Sequence, residues 1–305
     1  MLRHELYWTK PESRLVNMSR STLALAAAAA TGMQVGAAIV GTRYVVHDIG
    51  PFSLALLRYA IGLLCIAPLV LMHGRVHFVR RDLFAVLALG IGQFAVLVVL
   101  LNLGLQFISS TRAALLFATL PLITMVVAAA LGSEALAGRK TLGVAMTIAG
   151  VAATLGENLL VDGGKNEWLG VAAVLGSALC GALCSVFYRP YLARYPTLPL
   201  AASAMLASVV FLAIAAGFEG IFTRPPSLSV TAWTIIFFIG VSSGVGYMLW
   251  LWALKHASPT HVTVFLSLSP LTAALLGVGL LGESLTPGIV LGMLGVAGGL
   301  WVSTR

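Results

Sequence analysis

Charge is what this sequence has least of. Ten Asp and Glu and eighteen Lys and Arg stand among 305 residues, 9% in all, whereas a soluble domain carries about 25%. With 59% hydrophobic residues and a mean hydropathy of +1.00, the chain reads as an integral membrane protein. Cysteine is equally sparse. Cys65, Cys180 and Cys184 lie inside apolar runs, without metal-ligand spacing or accompanying histidines, and read as packing residues rather than a metal site. The chain has no HExxH, no GxSxG and no cluster of His, Asp and Glu, so the groups a membrane enzyme needs are missing. No enzymatic activity, metal or cofactor is expected. The net charge of +8 is no nucleic-acid footprint, because the basic residues are scattered between apolar blocks rather than interleaved with aromatics. Lipid and a small molecule are the partners left. The segment through Arg20 is polar, and the apolar run after it outlasts a signal peptide without a cleavage site, so no removable signal is expected.

A helix crosses the hydrocarbon in about 20 residues. Dividing the apolar sequence where charges, prolines and glycines cluster gives roughly ten spans, from Ser21–Val45 to Pro287–Ser303, joined by short connections. The side that keeps the excess of Lys and Arg is cytoplasmic. Placing the N-terminus there puts Arg75, Arg80, Arg81, Arg139, Lys140, Arg189, Arg194 and Lys255 inside, and leaves Arg43, Arg112, Lys165 and Arg224 outside. An even number of spans returns the C-terminus to the cytoplasm, and a bacterial inner membrane is the expected location.

Two stretches explain each other: "STRAALLFATLPLITMVVAAALGSEAL" and "PTHVTVFLSLSPLTAALLGVGLLGESL". Pro121 and Pro270 are 149 residues apart, and so are Glu134 and Glu283, Ser109 and Ser258, Thr111 and Thr260, Gly143 and Gly292. Matched polar and glycine positions at one fixed offset mark an internal duplication. With five spans per copy, the second copy is inverted relative to the first. The expected organisation is a cytoplasmic N-terminal segment 1–20, a first repeat 21–156, an external linker 157–167 and a second repeat 168–305. Inverted repeats of this kind build secondary transporters, with the substrate near the midplane. One chain already supplies both repeats, so a monomer is expected. A channel would need polar or charged rings along a pore, and the interior is too apolar for that.

The motifs "PFSLALLRYAIG", "ALLFATLPLITMVVAAALGSEAL" and "GYMLWLWALKHASPTHVTVFLSLSPLTAALLGVGLLGESLTPGIVLGMLGVAGG" resemble the EamA module of the drug/metabolite transporter superfamily, across both repeats. The resemblance implies a ten-helix carrier of two inverted five-helix halves that exports amino acids or similar small metabolites, and is closest in kind to the YddG-type amino-acid exporters. Export of drugs or other metabolites is the alternative it leaves open. Such modules often carry a tryptophan-glycine pair and then a basic residue in the first span; here Val35, Gly36 and Arg43 stand at those positions.

Buried amides and hydroxyls point into a bundle rather than into lipid. Gln34, Gln93, Ser177 and Ser243 are therefore candidate substrate contacts, with Tyr59, Phe94, Tyr188, Tyr247 and Trp250 as aromatic walls. Arg58 is the one basic side chain clearly inside a span, and either attracts a substrate carboxylate or pairs internally with helix-end carbonyls or Asp48. Pro121 and Pro270 fall mid-span, where proline removes a backbone hydrogen bond; they are candidate gate hinges. Glu134 and Glu283 are expected to cap the helix that follows each. The glycines of the last span, Gly288 to Gly299, permit close approach to span five or to another protomer, with span five preferred. No span carries a carboxylate at its middle, which disfavours a cation/proton antiporter and suits a neutral or zwitterionic solute.

Overall fold

The computed structural model describes residues 11–72, 76–132, 138–159, 166–284 and 286–304, and among them it is all helical. In chain order the helices are α1 (Pro11–Val45), α2 (Pro51–Met72), α3 (Arg80–Gly90), α4 (Leu97–Phe107), α5 (Ser110–Phe117), α6 (Leu120–Ala130) and α7 (Gly138–Leu159). They continue with α8 (Glu167–Phe187), α9 (Arg189–Arg194), α10 (Thr197–Phe218), α11 (Val230–His256), α12 (Pro259–Val264), α13 (Ser269–Leu281) and α14 (Pro287–Thr304). A π-turn, Ile91–Val96, joins α3 to α4, and a 3-10 turn, Phe265–Leu268, joins α12 to α13. Among the described residues, eight helical segments are long and apolar enough to cross a membrane, while α7 and α14 carry shorter apolar stretches, Thr141–Gly150 and Pro287–Gly299. Side chains such as Phe218 (90% exposed) and Leu275 (77% exposed) face outward from the bundle. In water that surface would be costly; against lipid it is the expected one.

Local chemistry sets the helix ends. Ser109 and Ser258, equivalent at the offset of 149, are both N-caps, accepting the Arg112 and His261 amides. Helix α1 begins at Pro11, ten residues before the expected start of the first span. The expectation of prolines in mid-helix needs correction. The span containing Pro121 is two helices, because α5 stops at Phe117 and α6 restarts at Leu120, with Pro121 in its first turn. Pro270 likewise stands in the first turn of α13, after the 3-10 turn. A first-turn proline loses no hydrogen bond, since its amide would have no intrahelical partner there. The prolines therefore open a second half-helix rather than kink a continuous one.

Close approaches of small residues fix the packing. Gly62 of α2 lies against Gly240 and Gly244 of α11, where a Cβ on Gly244 would sit 2.7 Å from the Gly62 carbonyl oxygen. Helices α7 and α14 meet at Gly150 and Gly295, where a Cβ on Gly295 would sit 2.7 Å from the Gly150 Cα. Gly292, Gly295 and Gly299 of the last span thus face α7 within the chain.

One end of the bundle is tied by carboxylates. Glu219, beyond α10, accepts the Phe52 and Ser53 amides and the Ser53 hydroxyl at 2.6–3.1 Å. Glu283, beyond α13, accepts the amides and hydroxyls of Ser110 and Thr111 at 2.7–3.2 Å. At the same end Arg112 pairs with Glu167 and Asn102 Nδ2 donates to the Pro51 carbonyl at 2.9 Å. At the start of α3, Asp82 accepts from Arg194 at 3.0 Å and from the Tyr195 hydroxyl at 2.8 Å. The capping role expected of Glu283 therefore falls on α5 rather than on the following helix, because the α13–α14 turn folds back over the α5 N-terminus. Glu134 lies outside the described residues.

Burial opposes the charge on Glu283, but the hydrogen bonds from Thr111 and Ser110 outweigh it and hold the carboxyl below its ordinary value of 4.5. A carboxyl depressed in the fold contributes stability that is complete above the unfolded value and lost as pH falls through the folded one. Glu283→Gln is thus expected to cost about 1–2 kcal/mol near neutral pH. Melting curves of the purified chain in detergent should show that loss shrinking as the pH drops below about 4. An equal loss at all pH values would show that the negative charge is not what matters.

Candidate functional site

Between the helices lies a cavity of about 80 Å³. Helix α1 contributes Thr31, Gln34 and Val35, α2 contributes Arg58 and Tyr59, and the π-turn contributes Gln93 and Phe94. Helix α4 adds Leu97, Val98 and Leu101, and α8 adds Gly181 and Ser185. Ser243, Gly246, Tyr247 and Trp250 line it from α11. Phe117, Leu120 and Leu266 complete the wall, so both broken helices reach the cavity at their breaks. The volume is below the roughly 300 Å³ of the smaller ligand pockets.

Arg58 dominates the electrostatics. It is 8% exposed, and its Nε donates to the Ser243 hydroxyl at 2.7 Å, which in turn donates to the Ile239 carbonyl. The expected alternative of an Asp48 partner is not realised: Asp48 is exposed. The other described acidic side chains are engaged elsewhere, Asp82 with Arg194, Glu167 with Arg112, and Glu219 and Glu283 as helix caps. Among the described residues Arg58 thus has no carboxylate partner, although a buried cation without one is costly. A hydrogen bond to a neutral hydroxyl offsets only part of that cost.

The aromatic wall is tightly coupled. Phe94 stands edge-on to Tyr59 with ring centroids 4.8 Å apart and to Tyr247 at 4.1 Å. Two polar atoms of the lining, Gln93 Oε1 and the Tyr247 hydroxyl, are buried without a hydrogen-bond partner among the described residues. Native interiors rarely leave such atoms orphaned without a functional reason. Gln34 is engaged, its Nε2 donating to the Ser242 hydroxyl at 3.2 Å.

Of the ten side chains that sequence reasoning put forward as substrate contacts, eight line this cavity: Gln34, Arg58, Tyr59, Gln93, Phe94, Ser243, Tyr247 and Trp250. Ser177 and Tyr188 do not. The Ser177 hydroxyl donates to the Leu97 carbonyl at 2.8 Å, and Tyr188 forms a second row behind Tyr247, with centroids 6.4 Å apart. Pro121 and Pro270 are off the cavity wall; Pro121 follows the lining residue Leu120, whereas Pro270 stands four residues after Leu266. Thr31, Val35, Gly181, Gly246 and the α4 aliphatics escaped sequence reasoning, because small and aliphatic residues in an apolar span carry no signal of which side they face. Cys180 and Cys184 proved to be more than packing: their thiols donate to carbonyls of α3 and the π-turn.

A model of the EamA-like transporter family matches residues 22–156 and again residues 168–305. An uncharacterized transporter of Archaeoglobus fulgidus is 28% identical over 275 residues, covering 88% of this chain and 94% of its own. A protein of Streptantibioticus cattleyicolor named a "Probable terminal-alkyne amino-acid exporter" is 31% identical over 230 residues, 74% of each chain. A solved crystal structure shares the fold at a TM-score of 0.71 and 21% identity, covering 94% of this chain and 96% of that one. Membrane-length helices closed round a small, partly polar cavity, in a chain with these relatives, define a membrane transporter rather than an enzyme. The chain belongs to the EamA-like transporter family.

Proposed function

We propose that this transporter exports neutral, zwitterionic amino acids across the plasma membrane. The carrying observation is Arg58, a buried cation that faces the cavity and has no carboxylate partner among the described residues. A substrate α-carboxylate would complete it through charge-assisted hydrogen bonds. The α-ammonium has no acidic residue to meet in the cavity lining, but Gln93 Oε1 offers an unused acceptor in a wall shared with Tyr59, Phe94, Tyr247 and Trp250. Leu97, Leu101, Leu120 and Leu266 leave an apolar surface for the side chain. The amino-acid exporter named among the relatives points the same way.

The architecture we infer is ten spans in two inverted repeats, 21–156 and 168–305, with 1–20 and the C-terminus in the cytoplasm and 157–167 outside. Three observations support it. The offset of 149 pairs N-cap with N-cap, Ser109 with Ser258. It also pairs the break at Ala118–Thr119 with the 3-10 turn at Phe265–Leu268. The Arg112–Glu167 pair sets the start of α8 beside the start of α5, at the end where α1 finishes. In this reading the breaks ahead of Pro121 and Pro270 are the hinges that alternately open the cavity to either side.

Uptake of a labelled panel including phenylalanine, methionine and threonine into proteoliposomes, with and without a pH gradient, tests the assignment. Saturable uptake that unlabelled amino acids compete away and that ignores the gradient is expected. Gln93→Leu should raise KM about tenfold for the best substrate, the cost of one hydrogen bond to a charged group. Absence of uptake of every amino acid by folded protein would sink the substrate class and turn the search to drugs or other metabolites.

A further inference from the structure

The π-turn that carries Gln93 and Phe94 does not hold its register alone. Its closing bond runs from the Leu97 amide to the Gly92 carbonyl, five residues back. Such turns are rare and gather at functional sites. Here two neighbouring helices supply donors to the carbonyls around it. From α10, the Ser208 hydroxyl donates to the Gly90 carbonyl at 2.6 Å. From α8, the Cys180 thiol donates to the Gly92 carbonyl at 3.2 Å and the Cys184 thiol to the Leu89 carbonyl at 3.7 Å. Gly90 fits so tightly that a Cβ there would sit 2.6 Å from the Ala204 Cα. α10 thus approaches this backbone directly.

We propose that Ser208, Cys180 and Cys184 are positioning residues that hold Ile91–Val96 in the π-register, and through it keep Gln93 and Phe94 facing the cavity. The proposal rests on the cavity being the substrate site. An ordinary α-helix satisfies its own carbonyls, so without these donors the segment can relax into one. That change takes one residue out of the turn, and one residue is a rotation of about 100° about the helix axis. Gln93 Oε1 would then leave the cavity while the helix itself stayed intact. Affinity should fall and stability should not.

The test uses the full chain in proteoliposomes, with the best-transported amino acid of the panel as probe. The triple variant Ser208→Ala/Cys180→Ala/Cys184→Ala is expected to raise KM about tenfold at unchanged melting temperature, the effect of losing a substrate hydrogen bond. Cys180→Ser/Cys184→Ser, which keeps the donors, should stay near wild type. Combined with Gln93→Ala, the triple variant should lose less than the sum of the two separate losses, because both remove the Gln93 contact. Hydrogen exchange over residues 89–97 reads the register without any substrate and should change in the triple variant alone. Unchanged exchange, or additive losses in the cycle, would overturn the proposal. Changed exchange with silent KM for both the triple variant and Gln93→Ala would instead overturn the reading of the cavity, and the positioning role with it. If the triple variant does not fold, Ser208→Ala alone goes through the same cycle and decides the matter.

Discussion

Arg58→Met is expected to weaken amino-acid uptake severely while leaving the protein as stable as before or more so. The two effects have one cause. Arg58 is 8% exposed, and its guanidinium is held by one hydroxyl, that of Ser243, and by the face of the Tyr59 ring, 5.4 Å from its centroid. Replacing such a group by an apolar side chain of similar length is often neutral or stabilising, by about 1–4 kcal/mol. With substrate present, the same change removes charge-assisted hydrogen bonds worth about 1.5–3 kcal/mol, or roughly a 10- to 150-fold loss of affinity. Arg58→Lys should keep part of the activity, since an ammonium supplies charge but not the two-pronged geometry that matches a carboxylate. Uptake in proteoliposomes, beside melting curves in detergent, checks both halves. Full activity in Arg58→Met would remove the carboxylate contact from the mechanism; a large drop in melting temperature would show that the arginine is chiefly structural.

Gly244→Val should be as severe, for a different reason. A Cβ at this position would stand 2.7 Å from the Gly62 carbonyl oxygen and 3.1 Å from its Cα, and backbone cannot swing aside as a side chain can. Overpacking of this kind costs about 1–3 kcal/mol, and here it also separates two helices that share a bond in the cavity. Arg58 lies one turn before Gly62, and Ser243 is next to Gly244, so widening the α2–α11 seam breaks the Arg58–Ser243 hydrogen bond. A lowered melting temperature together with lost uptake is the expected outcome. Gly279→Val serves as the control, because nothing lies within 4 Å of a Cβ built there. Equal behaviour of the two variants would show that the seam tolerates widening.

Sequence reasoning reached much of the cavity because its polar members are conspicuous in apolar spans. An amide or a guanidinium in a hydrophobic helix has few places to go, and Gln34, Gln93 and Arg58 all line the cavity. Serine is less telling, since its hydroxyl can return to a carbonyl of its own or a neighbouring helix. Ser177 does so at Leu97 and Ser185 at Gly181, yet only Ser185 lines the cavity. Nothing in "IGQFAV" announced a π-turn. Its stability comes from donors on α8 and α10, more than 80 residues away in sequence.

The sequence by itself determined the membrane setting, the repeat offset and the ends of several helices, because each depends on local composition or on residues a few positions apart. Ser109 and Ser258 cap their helices through amides three residues on. The tertiary structure decided which distant groups meet. It sent Glu283 to the start of α5 rather than α14, left Arg58 beside Ser243 rather than Asp48, and turned Cys180 and Cys184 into donors. Side-chain type limits what a group can bond. In a low-dielectric interior it is the packing of whole helices, set by close contacts such as Gly62 on Gly244, that selects the partner.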